Sequence, residues 1–175
     1  DYTYALFLAE VEVDTATGKA TVIGYTCVDD VGAIGDLASV NGQAYGGLSH
    51  SIGFALSENY DDVKKHNNIA GAGIPQIKDI PDKFEIIHLA TPRKKNPCGS
   101  SGASEAYQSA GHMAVINAIH NACGVRVYEL PATPDKIKAG LETLAKGGKV
   151  EPPKKYFLGS DFQEEIDQIK ANPIK

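Results

Sequence analysis

The first thirty residues alternate in polarity, and this pattern constrains the fold more than any other part of the chain. Between residues 2 and 14, apolar and acidic side chains alternate, as in Glu10-Val11-Glu12-Val13. A period of two is typical of a strand with one buried face. Residues 16–19 (Ala-Thr-Gly-Lys) have the composition of a turn, and residues 20–29 are rich in β-branched and aromatic side chains. These segments predict a β-hairpin.

The rest of the sequence predicts two further strands and three or four helices, which places the chain in the α+β or mixed α/β class. Strands are expected over residues 82–91 and 124–130, and helices over residues 41–59, 105–122, 134–146 and 162–169. Thr133 and Pro134 begin the third helix as cap and first residue, and Ser160 with Gln163 forms a capping box for the last. Residues 1–148 are expected to form one domain portion, followed by a linker and short helical tail over residues 149–175.

Charge and cysteine content exclude several classes of function. The 175 residues carry a net charge of −5, which argues against nucleic acid or an anionic membrane surface as partner. No apolar run reaches the roughly 20 residues of a membrane span. The three cysteines, Cys27, Cys98 and Cys123, have neither disulfide nor metal-ligand spacing, as expected of a protein in the reducing cytoplasm.

The predicted helix over residues 41–59 is unusually rich in glycine. Gly42, Gly46, Gly47 and Gly53 lie within it. Each costs about 1 kcal/mol relative to alanine, so we expect something to pack very close to this helix. A neighbouring helix and a bound ligand explain the glycines equally well.

A candidate functional residue is the single acidic residue that follows a loop of small residues. Residues 97–104 read Pro-Cys-Gly-Ser-Ser-Gly-Ala-Ser, and Glu105 follows. Ser104 is expected to cap the helix that begins there, with Ala106, Ala110, Met113, Ala114, Ala118, Ile119 and Ala122 as its buried stripe. An acid in a first helical turn is favoured by the exposed N–H groups. The small residues also permit close approach of a ligand, which makes Glu105 a candidate general base.

Four segments in this order resemble the C-terminal part of the large subunit of molybdenum hydroxylases, the xanthine oxidase family that includes the bacterial aldehyde oxidoreductases. They are AEVEVDTATGKATV, GQAYGGLSHSIGFALSE, PCGSSGASE and AVINAIHNACGVRVYELPATPDKI, within residues 4–145. The combination is more specific than any one of the motifs.

The resemblance implies a molybdenum pyranopterin cofactor, commonly the cytosine dinucleotide in bacteria, whose dithiolene holds the metal without a protein ligand. Gln43 matches the glutamine that hydrogen-bonds the cofactor, and Glu105 matches the catalytic base. The resemblance also assigns a cofactor-binding surface to Gly42, Gly46, Gly47, Gly102, Ala103 and Ser104.

The implied activity is oxidation of an aldehyde to a carboxylic acid, in complex with the remaining large-subunit chain or chains and a subunit carrying [2Fe–2S] clusters. Hydroxylation of an N-heterocycle such as a purine or nicotinate is the alternative within the same chemistry. A non-catalytic, cofactor-holding subunit is the alternative of another class, because Ala103 and Ser104 stand where the family has Val-Gly.

Overall fold

The computed structural model describes residues 2–154 and 161–172. It confirms the hairpin: strand β1 (Tyr4–Val13) pairs antiparallel with β2 (Ala20–Asp30). The register shifts by one residue between Glu10 and Val11, where β2 carries an extra residue. Such a bulge twists the pair locally.

The third strand, β3 (Lys83–His88), is also confirmed, and it lies parallel to β2 on the side away from β1. The fourth predicted strand was wrong: among the described residues the sheet has three strands, and residues 124–130 add none. Val125 in this segment is buried against Gly140, where a Cβ would lie only 2.4 Å from Val125 Cγ1. The segment therefore buries its apolar side chain against the following helix instead of pairing with the sheet.

Helix α1 spans Leu37–Leu56 and begins four residues before the predicted start at residue 41. Asp36 sets this start, because its carboxylate accepts hydrogen bonds from the backbone N–H groups of Ala38 and Ser39. A capping acid of this kind satisfies N–H groups that have no partner within the helix.

The continuous helix predicted over residues 105–122 was wrong. A 3₁₀ turn, Ser104–Tyr107, is followed by a break, and helix α2 spans Gly111–Cys123. Ser104 is not the cap, since Ala103 precedes the turn without a side-chain bond. The buried residues of α2 are Gly111, Val115, Ile116 and Ile119, whereas Ala110, Met113 and Ala122 of the predicted stripe are exposed.

Two further helices match their predicted positions. Helix α3 (Pro134–Ala145) has Thr133 as its cap, and the Thr133 side chain accepts from the backbone N–H of Lys136. Helix α4 spans Phe162–Ala171. Ser160, half of the predicted capping box, lies outside the described residues.

The core lies between one face of the sheet and helices α1 and α2, and α3 contributes Ile137 to it. Its largest fully buried side chains include Tyr25, Leu48, Ile116, Ile119 and Ile137. Burial of each of the leucine and isoleucine side chains stabilises the fold by about 1.5–3 kcal/mol relative to leaving it exposed. In the part of the chain that the structure describes, no helix is both long enough and apolar enough to cross a membrane.

Candidate functional site

A groove of about 860 Å³ runs between the beginning of β1 and the segment that contains the 3₁₀ turn. Thr3 closes one side, and its hydroxyl donates a 2.6 Å hydrogen bond to the carbonyl of Gly102. The groove is lined by Thr3, Tyr4, Ala5, Phe7, Gly102, Ala103, Ser104, Glu105, Ala106, Ser109 and Ala110. Most of these side chains are small, so the backbone itself forms much of the surface.

Glu105 is exposed in this groove and lies in the 3₁₀ turn. Tyr107, two residues further on, is fully buried and anchors the turn in the core. Burial raises the pKa of Tyr107 well above its usual value, and the negative charge of Asp29 raises it further. The turn therefore has one fixed, neutral anchor and presents one free carboxylate.

The loop before Glu105 is held on an extension of β2. The backbone N–H of Ser101 donates to the carbonyl of Val31 at 2.8 Å, and that of Ala33 donates to the carbonyl of Gly99 at 2.9 Å. Between them, Gly32 has a φ of +78°, and a Cβ there would lie 2.5 Å from the Gly99 carbonyl oxygen. Only glycine permits this approach without strain.

Arg93 adds a side-chain anchor to the same loop. Its Nε donates to the Ser101 hydroxyl at 3.1 Å, and its Nη2 lies 3.2 Å from Asp30 Oδ1. The Asp30 carboxylate also accepts from the backbone N–H groups of Gly32 and Thr91. Hydrogen bonding, foremost from the Thr91 side chain and then from Gly32 and Arg93, lowers the pKa of Asp30 to about 2.

A partly buried polar chain links α1 to β2 and β3. His88 Nδ1 lies 2.7 Å from Asp29 Oδ2, and His88 Nε2 lies 2.8 Å from Asn41 Oδ1. Asn41 comes two residues before Gln43. His88 therefore ties the part of α1 that carries Gln43 to the sheet.

The glycines of α1 divide into two groups. Two are closely packed: Gly47 lies against the turn, where its Cβ would lie 2.6 Å from Tyr107 Cβ, and Gly53 lies against Glu58 and Pro75. Gly42 and Gly46 are exposed, and a Cβ on either would have no atom within 4 Å. Gly102 in the loop is equally open. Gly47 thus serves the contact between α1 and the turn, whereas Gly42, Gly46 and Gly102 face open space.

The structure brings together some of the predicted site residues. Gly102, Ala103, Ser104 and Glu105 line one groove, whereas Gln43, Gly42, Gly46 and Gly47 are absent from its lining. Gln43 is exposed on α1, one helical turn from Gly47 and on the same side. Contact between α1 and the 3₁₀ turn places the two groups on neighbouring elements.

Sequence analysis missed Thr3 and the Arg93–Asp30 anchor. The two anchoring residues are 63 positions apart, and no local pattern relates them. Within residues 2–154 and 161–172, no three His, Cys, Asp or Glu side chains are grouped so that they could hold a metal ion. Bare backbone, small side chains and one exposed carboxylate suit a cofactor that brings its own metal ligands.

Comparison with known proteins identifies the family. Residues 1–81 match the family model described as molybdopterin cofactor-binding domain. The chain is 48% identical over 141 residues to the aldehyde oxidoreductase of Megalodesulfovibrio gigas, which covers 81% of this chain and 16% of that enzyme. It is 34% identical over 136 residues to the nicotine 6-hydroxylase large subunit of Paenarthrobacter nicotinovorans, covering 73% of this chain and 16% of that subunit.

A solved structure shares the fold. The crystal structure of the aldehyde oxidoreductase from Desulfovibrio desulfuricans superposes with a TM-score of 0.77 at 54% sequence identity. The match covers 79% of this chain and 15% of that one, so the chain spans about a sixth of the length of these relatives. By motif, sequence identity and fold, the chain belongs to the xanthine oxidase family of molybdenum hydroxylases and corresponds to part of the molybdopterin-binding large subunit.

Proposed function

We propose that this chain supplies the general base and part of the pterin-binding surface of a molybdenum hydroxylase that oxidises aldehydes to carboxylic acids. The observation that carries the proposal is the exposed Glu105 carboxylate in a groove of small residues, on a turn that Tyr107 anchors in the core. The identity of 48% to an aldehyde oxidoreductase supports the substrate class.

The cofactor would lie against the bare surface of Gly42, Gly46 and Gly102, with the Gln43 amide as a hydrogen-bonding group. When bound, the molybdenum pyranopterin supplies the two-electron redox chemistry of the reaction. Its cytosine dinucleotide form, and [2Fe–2S] clusters on partner chains, belong to the same proposal. They are tested by identifying the nucleotide released on acid hydrolysis and by measuring iron per molybdenum.

Glu105 would accept a proton at its carboxylate oxygen during the reaction. Its exposure in the groove leaves the carboxylate accessible to a substrate, and the anchored loop limits its movement. General-base assistance of this kind contributes about 10² to 10⁴ in rate. Ala103 and Ser104 add little bulk beside it.

The test is Glu105→Gln in the complex of this chain with its partner chains. We expect aldehyde turnover to fall by about 10² to 10⁴, the range for general-base assistance, while the molybdenum content stays unchanged. Glu142→Gln is the matched control, because Glu142 is an exposed glutamate of α3. Unchanged turnover in Glu105→Gln would instead favour a cofactor-holding subunit without a catalytic role, the reading that Ala103-Ser104 leaves open.

Hydroxylation of an N-heterocycle is the second candidate, favoured by the 34% identity to the nicotine 6-hydroxylase large subunit. The higher identity to the aldehyde oxidoreductase ranks it below aldehyde oxidation. Steady-state assays of the same complex with an aromatic aldehyde and with nicotinate separate the two. A higher kcat/KM for the heterocycle would reverse the ranking.

A further inference from the structure

The sheet has a second face that none of the described helices covers. Side chains on this outer face are apolar in a row across all three strands, where Leu6 lies opposite Val28 and Val28 lies opposite Ile87. Tyr4, Leu8 and Leu89 extend the row by strand alternation. Five of these six side chains are 47–63% exposed: Tyr4, Leu6, Leu8, Ile87 and Leu89.

A contiguous apolar patch of this kind differs from the isolated apolar side chains found on any protein surface. Large exposed apolar patches mark interaction sites. The sheet is mixed, since β1 and β2 are antiparallel and β2 and β3 are parallel. Helices α1 and α2 cover its other face.

Charge on the outer face is arranged along the strands. The apolar residues lie toward the beginning of β1, and Glu10 and Glu12 follow on the same face. Glu85 of β3 lies opposite Thr26 in the row next to Val28. Lys83 forms an ion pair with Glu10 and neutralises part of this charge. A complementary surface is therefore apolar at one end and basic at the other.

The size of the relatives indicates where such a surface comes from. In the Desulfovibrio desulfuricans enzyme, the matching segment is 15% of a single chain, so most of that chain lies outside it. A helix packed on the apolar face of a sheet is one of the stable layer arrangements of protein domains. The occupant that fits is thus an amphipathic helix belonging to the rest of a large subunit.

We propose that the outer face, defined by Tyr4, Leu6, Leu8, Val28, Ile87 and Leu89, is the docking surface for another part of the molybdenum-hydroxylase large subunit. The docked element is an amphipathic helix with basic residues near Glu12 and Glu85. The inference rests on the proposed function for the identity of the partner, but it requires no catalytic role of Glu105.

The experiment pairs the full 175-residue chain with the large-subunit chain or chains that copurify with it. Association is measured by analytical ultracentrifugation and native mass spectrometry. We expect a one-to-one complex for the wild-type chain. The double variant Leu6→Ser/Leu8→Ser should weaken it by about tenfold or more, as removal of central apolar anchors does at interfaces.

Leu37→Ser is the matched control, because Leu37 is 55% exposed, as is Leu6, but lies at the start of α1. This control should bind as the wild type does. Ile87→Ser tests the same face from β3, and circular dichroism verifies that each variant is folded. Failure of the wild-type chain to associate would overturn the proposal, and so would equal binding by all variants.

Self-association gives a separate outcome. A wild-type dimer that Leu6→Ser/Leu8→Ser converts to monomer would assign the outer face to a second copy of the chain and overturn the proposal. The proposed function fails independently, if Glu105→Gln retains full turnover in an assembled complex. In that case the docking surface stands.

Discussion

At the scale of single residues, neighbouring glycines of α1 have opposite roles. Gly47 lies against the turn that carries Glu105, with no room for a side chain, whereas Gly46 faces open space. Sequence analysis treated both as one group, since each costs the helix about the same intrinsic stability. The contact with Tyr107 distinguishes them.

Alanine substitution at these two positions should change stability in opposite directions. Gly46→Ala should raise the free energy of unfolding of the chain by about 1 kcal/mol, because alanine is the better helix former. Gly47→Ala should lower it by about 1–3 kcal/mol through overpacking, since its Cβ would lie 2.6 Å from Tyr107 Cβ. Urea unfolding followed by circular dichroism measures both values.

Gly46→Ala also tests the proposed cofactor surface. In the assembled complex, Gly46→Ala should reduce molybdenum content despite its stabilising effect on the chain, because the added methyl group occupies the surface proposed for the cofactor. Stoichiometric molybdenum in Gly46→Ala, measured by elemental analysis, would contradict the placement of the cofactor against Gly46.

At the scale of elements, the loop over residues 97–101 depends on Asp30 at the end of β2. The pKa of Asp30 is lowered to about 2, below the value of about 3.9 in unfolded chains. A depressed pKa means that the ionised carboxylate stabilises the folded state. This contribution is fully present above about pH 4 and is lost as the pH falls through about 2.

We therefore expect Asp30→Asn to be less stable than the wild type at pH 6, with the difference shrinking as the pH falls toward 2. Hydrogen exchange should also be faster at the amides of Gly32 and Thr91, which donate to this carboxylate. Asp82→Asn serves as the control, because Asp82 is exposed and lies before β3. A stability difference that does not change between pH 6 and pH 2 would contradict the anchoring role of the Asp30 charge.

At the scale of the whole molecule, the core and the tail are separate in sequence. Among residues 2–154 and 161–172, every residue of the main apolar cluster, including the side chains packed at its edge, lies between Phe7 and Leu141. Helix α4 contributes none of them, and its Ile169 is 61% exposed. We propose that residues 149–175 form a tail that contacts a partner chain.

Deletion of residues 150–175 should therefore leave the folded core intact and weaken assembly. We expect the midpoint of thermal unfolding to shift by no more than a few degrees, since a change of 1 kcal/mol moves it by about 2–8 °C. The mass of the complex by native mass spectrometry should decrease through loss of partner chains. An unchanged complex mass would rule out the tail as a contact.

Local patterns in the sequence determined much of the fold. The alternation over residues 2–29 is sufficient for the hairpin, because a strand period of two and a short polar turn leave few alternatives. Thr133 and Pro134 likewise define the start of α3. The order of the motifs also identified the family, which the comparisons show.

Only the tertiary structure decided the features that depend on residues far apart in the chain. Helix α2 begins at Gly111, which packs against Tyr25 of β2: a Cβ on Gly111 would lie 2.4 Å from the Tyr25 hydroxyl oxygen. Val125 packs against α3 rather than joining the sheet. The groove around Glu105 is closed by Thr3, which lies 99 positions from its partner Gly102. Helical and strand periods reflect local steric preferences, whereas these contacts arise from packing between elements, which no local period encodes.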